Sequence, residues 1–261
     1  MKDQYVADIG DYGKYALLKA FSDEGVCVGV NWYYTSNDGT TAGGKTDYLE
    51  KPERFKDYCP DVFQKMDVIY NTSRTIEAIE ASGILSDACY YKTKVEFSGS
   101  PNEIMSKRLE WKERSLEILS KADLVYLDPD NGLLTNEKIK RRKATSKYAL
   151  PDEVEAYYRD GKNVVYYCHR GRRKKPVWEE YKSAMLRRLP SAKPVVLTFH
   201  KGIQRSYIFL IHASDYENYR KILDSFLVMW EGAFTEESIK DPLLKTTDDC
   251  DKEQKENENE R

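Results

Sequence analysis

Residues 123–132, Asp-Leu-Val-Tyr-Leu-Asp-Pro-Asp-Asn-Gly (DLVYLDPDNG), decide how the fold is read. The first half is a continuous run of apolar and aromatic side chains, and a strand buried on both faces reads that way. The second half is made of turn formers, because proline pre-sets its own φ while Asp, Asn and Gly accept tight backbone conformations. The decapeptide therefore predicts a buried strand over Asp123–Leu127, ending in a turn that carries Asp128, Asp130 and Asn131. In open α/β sheets, ligands bind at the carboxyl ends of the strands.

Similar runs recur on both sides. Asn163–Cys168 (NVVYYC), Pro194–Phe199 (PVVLTF) and Ser206–Ile211 (SYIFLI) are also continuous, and Val26–Tyr34 and Ala88–Phe97 are further strand candidates. Helical spacing fills the gaps. Asp11 is read as the cap of a helix reaching Phe21. Ser100-Pro101-Asn102-Glu103 is a capping box with proline at the first helical position. Pro151–Arg159, Pro176–Leu189 and Asp215–Trp230 complete the helices. Strands alternating with helices predict an α/β fold: Rossmann-like, a mostly parallel sheet flanked by helices. Only a short loop separates Phe199 from Ser206, so the last two strands are expected to form a terminal antiparallel hairpin, as in the methyltransferase version of that fold.

The chain has 261 residues, 40% hydrophobic and 33% charged, which suits one large globular domain and excludes collagen-like and low-complexity chains. We expect a single domain over residues 1–245 with loop insertions near 35–60 and 134–150, followed by an acidic disordered tail over 246–261 (TTDDCDKEQKENENER). No apolar run is long enough to span a membrane. The opening MKDQYVADIGDYGKY has no signal-peptide core, so a cytoplasmic location is the expectation. The five cysteines form no CxxC pair, which argues against a zinc knuckle.

Without the tail, 39 bases face 37 acids, and the bases cluster. One run holds Arg141 and Arg142, and another holds Arg170, Arg172 and Arg173. With Arg205, these are candidates for neutralising nucleic-acid phosphates, although either run alone also reads as a solvated loop. His169 and His200 directly follow two of the strands and are expected beside Asp128 and Asp130 at one sheet edge, whereas His212 is expected at the opposite edge. Lys14 lies between two glycines and an apolar face at a helix start, where it could help hold a carboxylate or phosphate.

Two of these segments carry a resemblance. Gly13-Lys14-Tyr15-Ala16-Leu17-Leu18 resembles the opening motif of the DNA adenine-N6 methyltransferase family, a Gly-Gly-Lys-aromatic-x-Leu-Leu segment that helps bind the methyl donor. Leu127-Asp128-Pro129-Asp130 resembles that family's Asp-Pro-Pro-aromatic motif, which receives the exocyclic amine and stacks on the flipped base. GDYGKYALL is also similar to the opening of bacterial ribosomal-RNA adenine-N6 methyltransferases. The whole GDxxKYxLL … LDPDNG pattern is similar to a group of uncharacterised bacterial proteins. Two departures stand out: no closely spaced glycines follow Val26–Val30, and Asp130 and Asn131 replace the stacking aromatic.

Three readings follow. The resemblance implies an S-adenosylmethionine-dependent methyltransferase acting on nucleic acid. Asp128 and Asn131 would orient the amine, Lys14 and Asp11 would lie at the donor, and Asp38 or Asp47 would take its ribose. The alternative is a nuclease or phosphodiesterase with Mg or Mn bound by Asp128 and Asp130, with Asp11 as a further candidate ligand, and with His169 or His200 as general base or acid. The third is a non-catalytic nucleotide-binding module.

Overall fold

The computed structural model describes residues 1–135, 143–171 and 173–239. Arg141, Arg142 and Arg172 lie outside the described residues, as does the acidic tail expected over 246–261.

The strands are β1 Val28–Asn31, β2 Cys89–Tyr91, β3 Leu124–Leu127, β4 Gly132–Leu133, β5 Tyr148–Ala149, β6 Asn163–His169, β7 Lys193–Phe199, β8 Arg205–Ile211 and β9 Phe234–Glu237. The helices are α1 Ile9–Asp23, α2 Pro52–Phe55, α3 Pro60–Thr72, α4 Ile76–Ala81, α5 Pro101–Ile118, α6 Pro151–Arg159, α7 Lys175–Lys182 and α8 Tyr216–Met229. Seven strands form one sheet in the order β2-β1-β3-β6-β8-β7-β9, and β4 pairs with β5 beside it. β2, β1, β3 and β6 are mutually parallel, while β8 runs antiparallel to both β6 and β7. The expected hairpin is therefore present but not terminal. β8 is inserted between β6 and β7, and β9 adds an antiparallel edge strand on β7.

Side-chain alternation explains the continuous apolar runs. Leu124, Tyr126, Val165, Leu197, Phe209 and Ile211 pack with α1, α3, α4 and α8 on one face. Val125, Leu127, Val164, Tyr166, Ile208 and Leu210 pack with residues of α5, α6 and α7 on the other. Each strand is thus apolar toward both layers.

Several local expectations shift. α1 begins at Ile9, and its cap is Asp8, whose carboxylate accepts from the Gly10 and Asp11 amides, so Asp11 lies inside the helix. The strand read over Val26–Tyr34 is shorter, because Tyr33 adopts φ +43, a left-handed conformation that breaks the extended chain. The helix read through Leu189 stops at Lys182. Beyond it the Ala184 and Leu186 amides donate to the Tyr181 and Ser183 carbonyls three residues back, at 3.2 and 3.0 Å, so the chain goes on in tight turns. The segment expected as an insertion near 35–60 includes α2, and α3 starts at its end, seeded by Pro60 at the first helical position. The Ser100 capping box forms as read. Among the described residues no helix is long and apolar enough to cross a membrane.

Candidate active site

The parallel strands end on the edge where α1 begins, and a cavity of about 560 Å³ opens there. Strand alternation selects which side chains enter it. On β3 and its continuation, Tyr126 and Asp128 share the face that α1 covers. His169, which ends β6, and Arg205 and Tyr207 of β8 also line the cavity, as does Tyr167.

α1 supplies the facing wall, and its glycines make the approach possible. A Cβ at Gly10 would lie 2.2 Å from the Arg205 guanidinium carbon, and one at Gly13 would lie 3.0 Å from the Phe199 ring. In this chain the two glycines of the opening motif let a helix sit close against the sheet.

A buried ionic cluster follows from that contact. Lys14 Nζ lies 2.7 Å from Asp11 Oδ1 and 2.8 Å from Asp128 Oδ2. The Tyr126 hydroxyl donates to Asp128 Oδ1 at 2.9 Å. Arg205 Nη2 pairs with Asp8 Oδ2 at 2.7 Å. Burial pulls the Lys14 ammonium down, but Asp11 and Asp128 outweigh it and the net direction is upward, so the lysine stays charged. Burial pushes the Asp11 carboxyl up to about 6, against the pull of Lys14 and helped by Asp8 and Asp128. The cause is physical: one ammonium serves two buried carboxylates. The indole ring of Trp32 and the phenol rings of Tyr15 and Tyr126 surround Lys14 at 4.8–5.9 Å.

These contacts revise the role expected of Lys14. Its ammonium is engaged by Asp11 and Asp128, so it positions Asp128. The first amides of α1 are also occupied, since Ile9 N–H donates to the Lys45 carbonyl at 3.0 Å and those of Gly10 and Asp11 go to Asp8. The helix start is closed by its own chain and presents no free anion cradle.

Asp130 is set differently. The amino group of Met1 lies 3.0 Å from one oxygen and Lys2 Nζ lies 3.7 Å from the other. Among the described residues neither oxygen accepts a hydrogen bond, and the buried Tyr207 hydroxyl has no partner. The Met1 amino group also donates to the carbonyls of Tyr33 and Asp128, both at 3.1 Å. Asn131 lines the cavity, and its amide N–H donates to the Lys147 carbonyl at 2.9 Å.

His169 lines the cavity, and burial together with Arg173 and Arg205 holds its imidazole below the ordinary value. His200 does not join it. Phe199 faces α1, so the next residue points the other way, where His200 Nε2 meets Thr235 Oγ1 at 2.7 Å and Nδ1 meets the Gln204 amide at 3.2 Å. His212 lies at the far edge, as expected, stacked on Tyr158 at 4.0 Å. Asp38 pairs with Lys2 in the loop after β1, and Asp47 is exposed beside Lys51 at 3.1 Å, so neither carboxylate enters the cavity. Arg170 stacks on Trp178 and approaches Glu237 at 3.8 Å. Arg173 lies over Tyr181 at 4.6 Å and donates to the His169 and Arg170 carbonyls. The described part of the second basic run is folded partly onto the protein.

Sequence reading overlooked the Thr41–Lys45 segment (TAGGK), which reaches the cavity from the loop after β1. Its glycine pair was the available signal, displaced from where a donor loop was sought. Tyr5, Asp8 and Ile203 were also missed.

The donor set suits an organic ligand better than a divalent cation. Both oxygens of Asp128 are taken, by an ammonium and by a hydroxyl, and Lys14 would repel a metal placed between Asp11 and Asp128. Among the described residues no group of three or more His, Cys, Asp or Glu side chains is arranged to hold a metal ion. Asp130, ion-paired to the Met1 amino group, and Tyr207, whose hydroxyl has no partner among the described residues, are lining groups that suit an amine-bearing ligand.

No family model and no curated protein matches the chain. Among solved structures the chain is similar to protein LPL1258 from Legionella pneumophila str. Philadelphia 1, of the DUF519 family, with 12% identity and a TM-score of 0.44 over 93% of this chain and 97% of that one.

Proposed function

We propose that this chain is a divergent methyltransferase that moves a methyl group from S-adenosylmethionine to an exocyclic amine of a nucleobase in nucleic acid. The observation that carries the reading is the Asp128–Asn131 turn, which opens into a nucleoside-sized cavity against the Gly10–Lys14 segment of α1. An exocyclic amine needs acceptors. Asp130 brings a carboxylate to the cavity, and each Asp128 carboxylate oxygen, already bonded to Lys14 or Tyr126, keeps a second lone pair for the amine. Lys14 and Tyr126 fix the Asp128 carboxylate in one orientation, so little reorganisation is needed when substrate arrives. Positive charge develops on the attacking nitrogen, and the carboxylates facing it stabilise that charge. The proton that the methylated nitrogen sheds passes to water or to His169 on the same wall, a base that burial, Arg173 and Arg205 weaken.

The donor is cationic at sulfur and at its ammonium, for which Asp130 is the lining carboxylate on offer, since Asp8 and Asp11 are paired with Arg205 and Lys14; the exposed Lys45 suits the donor carboxylate. Bound there, it would supply an electrophilic methyl carbon. Orientation of an in-line attack accounts for most of the rate in such a reaction, so no further acid-base apparatus is required.

Calorimetry with the donor and its demethylated product, followed by labelled methyl transfer to RNA and DNA, tests the reading. We expect saturable binding of both small molecules, transfer to one nucleic acid, and a loss of about 100-fold or more in transfer for Asp128→Asn. Absence of heat with both donor and product, with the protein folded, would overturn the proposal.

A further inference from the structure

The β7–β8 turn carries a branched apolar side chain on a rim that also holds the exposed Lys45 and Lys147 together with Thr41, Ala42 and Gly44. Ile203 is 44% exposed and lines the mouth of the cavity. Its exposure is built in by a braced backbone. Gly202 adopts φ +76, and a Cβ there would lie 2.7 Å from Ile9 Cγ2, so the turn packs tightly on the start of α1. Arg205, locked to Asp8, donates from Nη1 to the Ile203 carbonyl at 3.3 Å. Gln204 is tied to His200, which in turn is tied to Thr235. A rigid turn thus holds a branched apolar group outward.

Cations flank it. The aliphatic stem of Lys45 passes close to Gly202, and the Lys45 side chain is exposed on the same rim as the exposed Lys147. Lys201 stands two residues before Ile203 and is partly exposed. A base that reacts inside a cavity must leave its stack, and the gap it leaves is stabilised when an apolar wedge such as isoleucine enters the base step. Nearby lysines hold the phosphates on either side.

We infer that Ile203 is a wedge that enters a base-paired nucleic acid as the target base swings into the cavity, so that the substrate is a stacked, paired strand. This rests on the nucleobase reading above. It assigns a function to the turn that the methyl-transfer chemistry itself does not need. Ile203 is a positioning residue in this scheme, because it touches the neighbours of the target and not the reacting atoms.

The test uses duplexes and matching single strands that carry a fluorescent adenine analogue at varied positions, mixed with the protein without methyl donor. Unstacking brightens the analogue. We expect the wild-type protein to brighten the duplex probe, Ile203→Ala to do so roughly tenfold less effectively at equal occupancy, and Ile203→Phe to restore the signal. Affinity for the single-stranded probe should be the same for all three proteins. Equal brightening by wild type and Ile203→Ala, or no brightening of any duplex by the wild type, would overturn the wedge. Failure of donor binding bears on the methyltransferase reading alone, because this measurement needs no donor.

Discussion

At the residue scale, the Asp11–Lys14–Asp128 cluster governs how the site responds to pH. Lys14 lies within 2.8 Å of both carboxylates, and removing one member of a buried ion cluster leaves uncompensated charge. Burial raises the Asp11 carboxyl from its ordinary 3.8 to about 6, so the folded chain binds that proton more tightly than the unfolded chain does. Its contribution to stability is therefore fully present below pH 3.8 and is lost as the pH rises through about 6. Asp11→Asn removes this titration. The difference in unfolding free energy between wild type and variant should move in the variant's favour across that window and stay constant above about pH 7. Urea unfolding at a series of pH values measures it. A difference that stays flat across the window would show that Asp11 titrates as an ordinary carboxyl in the folded protein.

At the element scale, α1 reaches the sheet because it has no side chain at residues 10 and 13. Helix propensity alone favours Gly10→Ala by about 1 kcal/mol. The new Cβ would meet the Arg205 guanidinium at 2.2 Å, displacing it from Asp8. We expect a net loss of about 1–3 kcal/mol, the usual range for overpacking, seen as a lower urea midpoint with an unchanged slope. A stabilised variant would mean that helix and sheet are not in close contact there. The sequence carries signals for α3 in Pro60 at a first helical position and the amphipathic 60–72 segment, and α4 is capped by Thr75. The insertion is expected only near 35–60, so α3 and α4 lie beyond it, in a stretch to which the sequence reading assigns no element. The Pro176–Leu189 segment keeps its apolar spacing but leaves the α-helical pattern after Lys182 for i→i−3 turns, a change of backbone bonding that apolar spacing does not reveal.

At the scale of the whole molecule, a buried pair ties distant segments together behind the site. Arg108 of α5 pairs with Glu153 of α6 at 2.6 Å and donates to the carbonyls of Thr145 and Tyr148 at 2.9 and 2.6 Å, while the Tyr33 hydroxyl donates to Glu153 at 2.8 Å. Arg108→Met would strand the Glu153 charge and cost about 3–5 kcal/mol, and Glu153→Gln in the same chain should recover part of that loss. Thermal and urea unfolding of the single and double variants provide the measurement. Additive losses would show that the two residues are not coupled. Sequence alone determined the strand runs, the alternation with helices, the antiparallel return through a loop too short for a crossover, and the carboxylates placed after β3. Those features follow from local chain physics: period, turn chemistry and loop length. Which strand end faces α1 was not legible: His169 and His200 are expected together, and the structure puts only His169 in the cavity. Tertiary structure decided the rest: that Lys14 answers two carboxylates, that Arg205 belongs to Asp8, that the glycine pair of a distant loop closes the cavity, and that Arg108 is buried. Charge pairing across residues far apart in the chain depends on where helices dock, and docking is set by the packed volume between layers, a quantity no local window of sequence contains.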